Sequence, residues 1–534
     1  MPQQTLKRYN LMAATDTQQR PFVLLTGSTG LVGGQVLARL AKHEIPVAVL
    51  VRSNRRQTAM ERIEALMLRL EERFERLLVR PVVLDGDICQ VELGLSEFDR
   101  RWIAAHCGSV IHSAANLLFR PASEHPDNEP YRTNLDGTAN LLNVMNAAGI
   151  TEWHYVSTAY IAGLRDGTIF ENESDVGQQF GNDYERSKTL AENLIRQSAA
   201  IESLTVYRPS IVIDLHPTTS MKSDQTINTA FGVFKSMSQR FGLPERGEAF
   251  RRLGFLGDER KNIVTVDWVA ELITQIYRRP ALHGTTYHLT SRQGTSMFLL
   301  EDSFLAAIRN SGLKLPAQRS DATDLIAEHT APFVAAFKPY FKDDPKFDRA
   351  NTVRAIETCG IGDTVELTVE HLRDFCLLQT KTNAPTPVLK LQPSAWCWIL
   401  TGLAPHSAVS MGSNRNGQSV IGLTLTGPDG GQWLIETETR TPVIQAASAN
   451  SASIRWFAAA DTMNAMIENR LSVKDAVEAG QLLIEIDSLC ESSGLTGNPS
   501  DTETHIHRFA EMIADFHRVI SSNPDRSREV ICVG

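Results

Sequence analysis

The segment TGSTGLVG, residues 26–33, decides the fold, because it joins the end of a β-strand to the start of a helix. The apolar run Phe22–Thr26 leads into it, and an amphipathic helical pattern follows it. Gly27 permits a tight turn, Gly30 lets the backbone approach a pyrophosphate group, and Gly33 allows the helix to pack closely on the strand. Free N–H groups and the positive dipole end of such a helix attract phosphate. The loop therefore predicts a dinucleotide site, and the alternative is a glycine turn with a purely structural role.

Short apolar runs alternate with longer helical patterns on the carboxyl side of this loop. The expected strands are Phe22–Thr26, Val47–Val51, Val82–Leu84, Val110–Ile111, Trp153–Val156 and Leu204–Tyr207, with a strand and helix in Asn262–Tyr277 and a further strand at Thr285–Leu289. The amphipathic pattern over residues 57–78 is that of a helix packed on the sheet, although a short coiled coil is an alternative. This alternation predicts an α/β fold, a Rossmann-type doubly wound parallel sheet with helices on both faces.

The end of the second strand carries arginine where an NAD site usually carries a carboxylate. The segment VLVRSNRR, residues 49–56, contains no Asp or Glu, and none occurs between residues 45 and 60. Arg52 can stack on adenine and bind a 2′-phosphate in a bidentate manner, and Arg55 or Arg56 can assist. We therefore predict NADPH as the cofactor. The alternative is that these arginines form a solvated basic loop.

Tyr184 and Lys188, in the segment YERSK, lie four residues apart and so share one face of a helix that continues to about residue 198. A free tyrosine has a pKa of about 10 and is a poor proton shuttle at neutral pH. A neighbouring ammonium group favours the phenolate and lowers this pKa, and the lysine can also hold the nicotinamide ribose. The upstream segment YVSTAY, residues 155–160, supplies the hydroxyls of Ser157 and Thr158 at the carboxyl edge of the sheet, where ligands bind in open α/β folds.

Seven motifs occur in the order typical of an extended short-chain dehydrogenase/reductase, which the chain resembles over about residues 21–310. The motifs are TGSTGLVGG, VLVRS, GDI, HSAAN, VSTAY, YERSK and YRPSIV. Three further segments resemble the fatty acyl-CoA reductase and thioester reductase branch more than the sugar epimerases: VSTAYIAG, Asn262–Asp267, and KPYFKDDPKFDRANTVRAI at residues 338–356.

The resemblance implies a role for each residue that matches a motif. It implies a catalytic triad of Thr158, Tyr184 and Lys188, with Ser157 as an alternative hydroxyl. It implies that Asp87 contacts adenine. The complete set of predicted cofactor-binding residues is Thr26, Gly27, Ser28, Thr29, Gly30, Leu31, Val32, Gly33, Arg52, Arg55, Asp87, Ile88, Ser113, Ala114, Ala115, Tyr184, Lys188, Pro209 and Ser210.

These roles predict a reaction in which NADPH delivers a hydride to a carbonyl carbon while Tyr184 and Thr158 polarise and protonate its oxygen. We predict reduction of an acyl thioester, carried by CoA or an acyl carrier protein, to an aldehyde or an alcohol. Two alternatives stay open. One is an NADP-dependent dehydrogenase or epimerase acting on a sterol-like or sugar-nucleotide substrate, and the other is a non-catalytic dinucleotide or lipid-binding sensor.

The rest of the chain divides by pattern into further units. We predict a flexible arm at 1–20, the reductase core at 21–310, a helical extension of the substrate side at 311–381, a Pro/Thr-rich linker at 382–387 and an α+β domain at 388–534. Within the core, residues 215–250 lose the strand–helix alternation and are interpreted as loops beside the binding cleft.

The C-terminal domain is expected to contain strands at Val420–Leu425 and Gln432–Glu436. Ile454–Ile467 followed by Leu471–Glu485 resembles the strand, helix, helix and strand that end a sterol-carrier-protein type lipid-binding domain. Such a fold can enclose an apolar tunnel. The alternative is a small α+β domain that serves dimerisation or packing.

Composition excludes several classes of protein. The 534 residues include 53 Lys+Arg and 62 Asp+Glu, and the resulting charge of −9 argues against nucleic-acid binding through a basic face. Seven cysteines with no CxxC pair are typical of a reducing compartment rather than a disulfide framework. No apolar run is long enough to span a bilayer, and the N-terminus lacks a signal-peptide pattern, so we predict a cytoplasmic protein for which peripheral membrane contact stays open.

No metal site is predicted from the sequence. His505, His507 and His517 lie near one another in the chain, with Glu511 among them. Positions two apart on a helix do not face each other, so His505 and His507 would diverge. These residues are interpreted as a solvated helix face.

Overall fold

The computed structural model describes residues 20–381, except for 56, 77, 120, 125–126, 217–225, 248–249, 252–254 and 317–341, together with five strands between residues 420 and 486. The predicted arm at 1–20 lies outside the described residues apart from Arg20, whose guanidinium donates to the carbonyl of Ala148 over 2.9 Å.

A seven-stranded sheet forms the centre of the described part of residues 21–310, and all of its strands are parallel. Its order is β3-β2-β1-β4-β5-β7-β11. The strands are β1 Phe22–Thr26, β2 Val47–Val51, β3 Val82–Asp85, β4 Cys107–His112, β5 Glu152–Val156, β7 Ser203–Pro209 and β11 Thr286–Leu289. The order reverses between β1 and β4, and ligands of doubly wound sheets bind in the crevice at that point.

Helices cover both faces of this sheet, as the alternating pattern predicts. They are α1 Leu31–Lys42, α2 Ala59–Phe74, α3 Glu97–His106, α4 Gly137–Ala147, α5 Asp183–Arg196 and α7 Val266–Tyr277. Side chains of a strand alternate between faces, so Val23 and Leu25 of β1 join the core under α1, α2 and α7, while Leu24 joins the core under α3, α4 and α5. The predicted fold class is confirmed. Helix α2 packs its apolar face into the first of these cores. It is therefore a helix packed on the sheet and not a coiled coil.

A smaller layer lies beyond the carboxyl edge of the sheet. It contains β8 Ile211–Ile213, α6 Thr226–Phe241, β9 Arg260–Lys261, β10 Ile263–Thr265, β12 Thr295–Ser296, α8 Met297–Asn310 and α10 Val369–Lys381. Helix α6 occupies the region interpreted from sequence as loops, and that interpretation is wrong for residues 226–241. Ile227, Phe231 and Phe234 recur at helical spacing and are buried in the core of this layer.

The predicted helical extension contains α9 Ala350–Cys359 and α10, and residues 317–341 lie outside the described part of the chain. It also contains a short strand that the sequence did not indicate, β13 Lys346–Phe347, which pairs in parallel with β6 Thr168–Ile169. This pairing holds the segment before α9 against the core.

The C-terminal strands form a separate mixed sheet in the order β16-β15-β14-β17-β18. They are β14 Val420–Thr426, β15 Gly431–Glu436, β16 Val443–Ala446, β17 Ile454–Ala459 and β18 Leu482–Ile486. Both expected strands, and the two that bracket the predicted helix pair, are present. The helix pair expected between these two strands lies outside the described residues, as do His505, His507 and His517, so the likeness to a sterol carrier protein stays a prediction.

No described helix combines the length and the apolar composition that a bilayer crossing requires.

Candidate active site

The glycine loop has the close contacts that its sequence predicts. Gly27 has a φ of +73°, and a Cβ there would lie 2.6 Å from the backbone nitrogen of Ala114. A Cβ on Gly33, in the first turn of α1, would lie 2.3 Å from the carbonyl oxygen of Gly27. Gly30 caps α1 without a side chain, so the first N–H groups of this helix face the crevice unobstructed. The loop is therefore built for close approach of a ligand phosphate.

A buried hydrogen-bond chain fixes this loop to the end of β4. The amide of Ala114 donates to Thr26 Oγ1 over 3.2 Å, and Thr26 Oγ1 lies 2.7 Å from His112 Nδ1. His112 Nε2 lies 3.0 Å from Thr138 Oγ1, and that hydroxyl donates to the carbonyl of Asn134. Because the Thr138 hydroxyl donates to the carbonyl of Asn134, it can only accept from His112. His112 therefore donates from Nε2 and accepts from Thr26 at Nδ1. Burial, with the Lys188 charge nearby, lowers the pKa of His112 to about 3, so the ring is neutral and positions the loop.

Two arginines stand at the adenosine end of the crevice. Arg52 pairs with Asp87 over 3.3 Å, but its side chain is 68% exposed and free to reorient. Arg62 of α2 donates to the carbonyl of Arg52 and, over 3.2 Å, to Thr29 Oγ1 in the glycine loop. Burial and the neighbouring Arg52 charge lower the pKa of Arg62. Two like charges held this close favour an anion between them.

Sequence reasoning missed Arg62, because only the packing of α2 brings it to the loop. A signal was available in the sequence: Thr58 and Glu61 form a capping box, which starts α2 at Ala59 and so places Arg62 in its first turn. Arg55, which the sequence put in this role, is exposed and does not line the cavity. Arg56 lies outside the described residues.

The structure brings Thr158, Tyr184 and Lys188 together in one cavity. Tyr184 lies in the first turn of α5, which Asn182 caps, and its buried hydroxyl interacts with that of Thr158. Lys188 follows one turn later; its Nζ donates to the carbonyl of Val156 over 2.8 Å and lies 4.2 Å from the ring centroid of Tyr155. These contacts hold the three side chains in the crevice. Thr158 lies just beyond the carboxyl end of β5, and Tyr184 and Lys188 lie in the first two turns of α5.

The charge states of this group differ from the expectation that Lys188 lowers the pKa of Tyr184. Burial raises the pKa of Tyr184 far above its ordinary value, and the hydrogen bond with Thr158 opposes that rise only in part. Burial lowers the pKa of Lys188 to about 7, with the Glu192 carboxylate acting in the other direction. Tyr184 therefore carries its proton throughout the neutral range and can act as a general acid.

The cavity has a volume of about 630 Å³ and runs from the glycine loop past Tyr184 into an apolar chamber. The predicted cofactor residues that line it are Thr26, Gly27, Thr29, Gly30, Leu31, Val32, Gly33, Arg52, Asp87, Ile88, Ser113, Ala114, Ala115, Tyr184, Lys188, Pro209 and Ser210. Ser28 is buried beneath the loop and does not line it. The apolar chamber is lined by Ile211, Val212, Ile227, Ala230, Phe234, Phe250, Phe255, Ile263, Met297, Leu300 and Phe304.

The chamber residues were not predicted as a site, although several belong to helices whose spacing was visible in the sequence. Phe234 and Phe304 pack edge to face, with ring centroids 5.5 Å apart, and Phe250 contacts both. Aromatic rings at these distances form a rigid wall. The cavity therefore offers a polar half for a dinucleotide and an apolar half for a substrate.

Comparison with known proteins shows what the chain is similar to. Residues 25–273 match the male sterility protein family of NAD-binding domains. Over 376 residues the chain is 23% identical to a non-canonical nonribosomal peptide synthetase, hkm10, of Aspergillus hancockii, which covers 64% of this chain and 34% of that protein. It is 24% identical over 224 residues to the fatty acyl-CoA reductase wat of Drosophila melanogaster, covering 36% of this chain and 43% of that protein. The chain thus spans less than half the length of either relative.

Among solved structures, the terminal R domain of the myxalamid PKS-NRPS pathway has a similar fold, with a TM-score of 0.52 and 22% identity. The likeness covers 72% of this chain and all of that domain. Motif order, family match and the described cavity agree on a nicotinamide dinucleotide as the cofactor. Residues 25–273 are thus similar to the male sterility protein family of NAD-binding domains, and these similarities support an extended short-chain dehydrogenase/reductase of the fatty acyl-CoA reductase and thioester reductase branch.

Proposed function

We propose that this chain is an NADPH-dependent reductase that transfers a hydride to an acyl thioester and releases an aldehyde, or an alcohol after a second hydride. The observation that carries this proposal is the continuity of the cavity. One space joins the glycine loop, the hydroxyls of Thr158 and Tyr184, and an apolar chamber walled by Phe234, Phe250 and Phe304. A dinucleotide bound at one end therefore meets an apolar substrate beside a proton donor.

The preference for NADPH over NADH rests on Arg52 and Arg62. An NAD site needs a carboxylate for the ribose 2′-hydroxyl, whereas here the end of β2 and the start of α2 each contribute a guanidinium. Asp85 follows on β3, but its oxygens are taken by the amide and hydroxyl of Ser53, at 2.9 and 2.5 Å. A 2′-phosphate suits two fork-shaped donors better than a hydroxyl does.

The bound dinucleotide would supply the hydride, and the residues of this chain would manage the proton. Tyr184 keeps its proton at neutral pH and gives it to the carbonyl oxygen as negative charge develops there. Thr158 hydrogen-bonds to the tyrosine hydroxyl and holds it at the carboxyl edge of β5. Lys188, held by the carbonyl of Val156, stands one helical turn behind. For a thioester, the addition product then expels a thiol and leaves an aldehyde.

The acyl substrate class rests on the chamber. Its walls carry aromatic and aliphatic side chains from α6, α8 and β10, which favour an alkyl or aryl chain over a sugar. Relatives described as a fatty acyl-CoA reductase and a nonribosomal peptide synthetase lead us to include both CoA and carrier-protein thioesters. An acyl carrier protein is the proposed partner in the second case.

The test is NADPH oxidation with a panel of acyl-CoA, acyl-carrier-protein, sterol and sugar-nucleotide substrates. We expect turnover only with the thioesters, with release of one free thiol per aldehyde formed. Tyr184→Phe should lower kcat by a factor of roughly 10²–10⁴, the usual worth of a positioned proton donor, and leave the Kd for NADPH within about twofold. Undiminished turnover by this variant would remove Tyr184 from the mechanism, and turnover of a sugar nucleotide alone would refute the substrate class.

A further inference from the structure

Glu152, His154 and His283 form a second polar cluster, toward the amino-terminal edge of the sheet, whereas the candidate active site lies at the carboxyl edge. Glu152 begins β5, whereas Thr158 lies beyond the carboxyl end of the same strand. At about 3.3 Å per residue, six residues of extended chain separate the two places by roughly 20 Å. The cluster therefore takes no part in hydride transfer, and it needs an explanation of its own.

The donor atoms of the three side chains converge on a small space. Glu152 Oε1 lies 3.1 Å from His154 Nε2 and 3.1 Å from His283 Nδ1, and the three ligand atoms all lie within 4.8 Å of one another. Zn²⁺ bound to nitrogen and oxygen at about 2.0–2.1 Å in tetrahedral geometry holds its ligands about 3.3 Å apart. The two 3.1 Å distances between Glu152 Oε1 and the imidazole nitrogens would open by a few tenths of an ångström to admit the ion.

The hydrogen-bond partners of His283 show that a positive species belongs between it and Glu152. Its Nε2 lies 2.9 Å from the carbonyl oxygen of Tyr277 and 3.2 Å from that of Ile276, and since carbonyls only accept, Nε2 must carry the hydrogen. A neutral ring would then direct the lone pair of Nδ1 at a carboxylate oxygen. Only a proton or a metal ion resolves that contact.

The surroundings of both imidazoles fit metal ligands. A ligating histidine usually donates its other ring N–H to a carbonyl or similar acceptor, as His283 does. His154 Nδ1 lies 2.9 Å from the hydroxyl of Tyr207, which accepts as readily as it donates, so His154 can present the lone pair of Nε2. The ring of Tyr277 packs edge to face on His154 and stacks on His283, which fixes both ring planes.

We propose that Glu152, His154 and His283 form a Zn²⁺ site, with water as the fourth ligand on the solvent side. His154 is fully buried, but the Glu152 side chain is 32% exposed and gives the ion its route of entry. The ion ties the start of β5 to the turn before β11, across the intervening strand β7. His283 lies in that turn, just after the short 3₁₀ helix Pro280–Leu282.

The test uses the untagged full chain, stripped of metal by a chelator and then titrated with Co²⁺ and Zn²⁺. The variants are Glu152→Gln and His283→Gln, and the matched control is Glu202→Gln, an exposed carboxylate nearby that lies outside the cluster. We expect the natural chain and Glu202→Gln to bind one more equivalent of metal than the two cluster variants, with a Co²⁺ visible absorption band that Zn²⁺ displaces. Zn²⁺ at about a hundred times its Kd should raise Tm by on the order of 4 °C in those two proteins alone.

If all four proteins bind the same amount of metal and show the same change in Tm when Zn²⁺ is added, a proton alone fills the cluster and the proposal is overturned. Glu152→Gln changes a partly exposed side chain, so it decides the question if His283→Gln does not fold. None of these measurements uses reductase activity, so the result is independent of the proposed function.

Discussion

Replacing Arg62 by Gln tests the cofactor preference at the residue that only the folded structure shows. A hydrogen bond to a charged group contributes about 1.5–3 kcal/mol to binding. Arg62 is partly buried and already held on Thr29, so it should contribute about 2 kcal/mol, a factor of roughly 30 in the Kd for NADPH. Arg52 is 68% exposed and shares its charge with Asp87, so Arg52→Gln should cost about 1 kcal/mol, roughly fivefold.

The assay is a titration with NADPH and, separately, with NADH, followed by fluorescence or calorimetry. NADH lacks the 2′-phosphate, so both variants should leave its Kd within about threefold of the natural chain. Arg55→Gln is the matched control, since Arg55 is an exposed arginine of the same loop that does not line the cavity. It should leave both affinities unchanged.

Two results would refute the reasoning. If the natural chain binds NADH as tightly as NADPH, the arginines do not select the cofactor. If Arg55→Gln weakens NADPH binding as much as Arg62→Gln does, a diffuse basic loop rather than a built phosphate site explains the affinity. The second outcome would restore the solvated-loop interpretation of the sequence.

Two further predictions follow from the site. Gly33→Ala places a Cβ 2.3 Å from the carbonyl oxygen of Gly27, so it should lower the free energy of unfolding by about 1–3 kcal/mol and weaken NADPH binding. The control is Gly232→Ala, whose Cβ meets no atom within 4 Å and which should do neither. Denaturant unfolding measures the difference, and equal stability of the two variants would contradict the prediction. With a pKa of about 7, Lys188 is mostly neutral at pH 8, so binding of the anionic cofactor should take up about 0.9 proton at pH 8 and about 0.1 at pH 6. Calorimetry in buffers of different ionisation enthalpy measures the uptake, which Lys188→Met should abolish; uptake that persists in that variant would assign the proton elsewhere.

The central sheet could be predicted from the sequence because both of its faces are buried. Strands β1 and β2 have the predicted bounds, since each is an unbroken apolar run with a proline before it and a glycine or arginine after it. Where a strand continues through polar residues, as β4 does at Ser109 and His112, the prediction was too short. Those side chains are buried because Tyr277 and Thr26 bond to them, and no local pattern announces such distant partners.

The candidate site, too, has a part that local sequence patterns predict and a part that depends on contacts between residues distant in the chain. Glycine spacing and the Tyr184–Lys188 interval are local, so sequence alone indicates them. Arg62 reaches the cofactor loop only through the packing of α2. The expected direction of the Tyr184 pKa was wrong for a related reason: burial raises this pKa, and the hydrogen bond with Thr158 opposes the rise only in part, while Lys188 donates to the carbonyl of Val156. Periodicity shows which face is buried, but not how deeply each polar group on that face is desolvated.

The glycine loop and the helix that carries Tyr184 and Lys188 are joined by hydrogen bonds through the residues between them. From Thr26 the hydrogen bonds pass through His112 and Thr138 to the carbonyl of Asn134. The side-chain amide of Asn134 donates from Nδ2 to Ser187 Oγ over 2.9 Å, and the Ser187 hydroxyl donates to the carbonyl of Tyr184 over 2.8 Å. Asn134 Nδ2 also donates to the carbonyl of Asn116 over 3.0 Å, so both of its hydrogens have an acceptor. These hydrogen bonds thus fix the glycine loop relative to helix α5, which carries Tyr184 and Lys188.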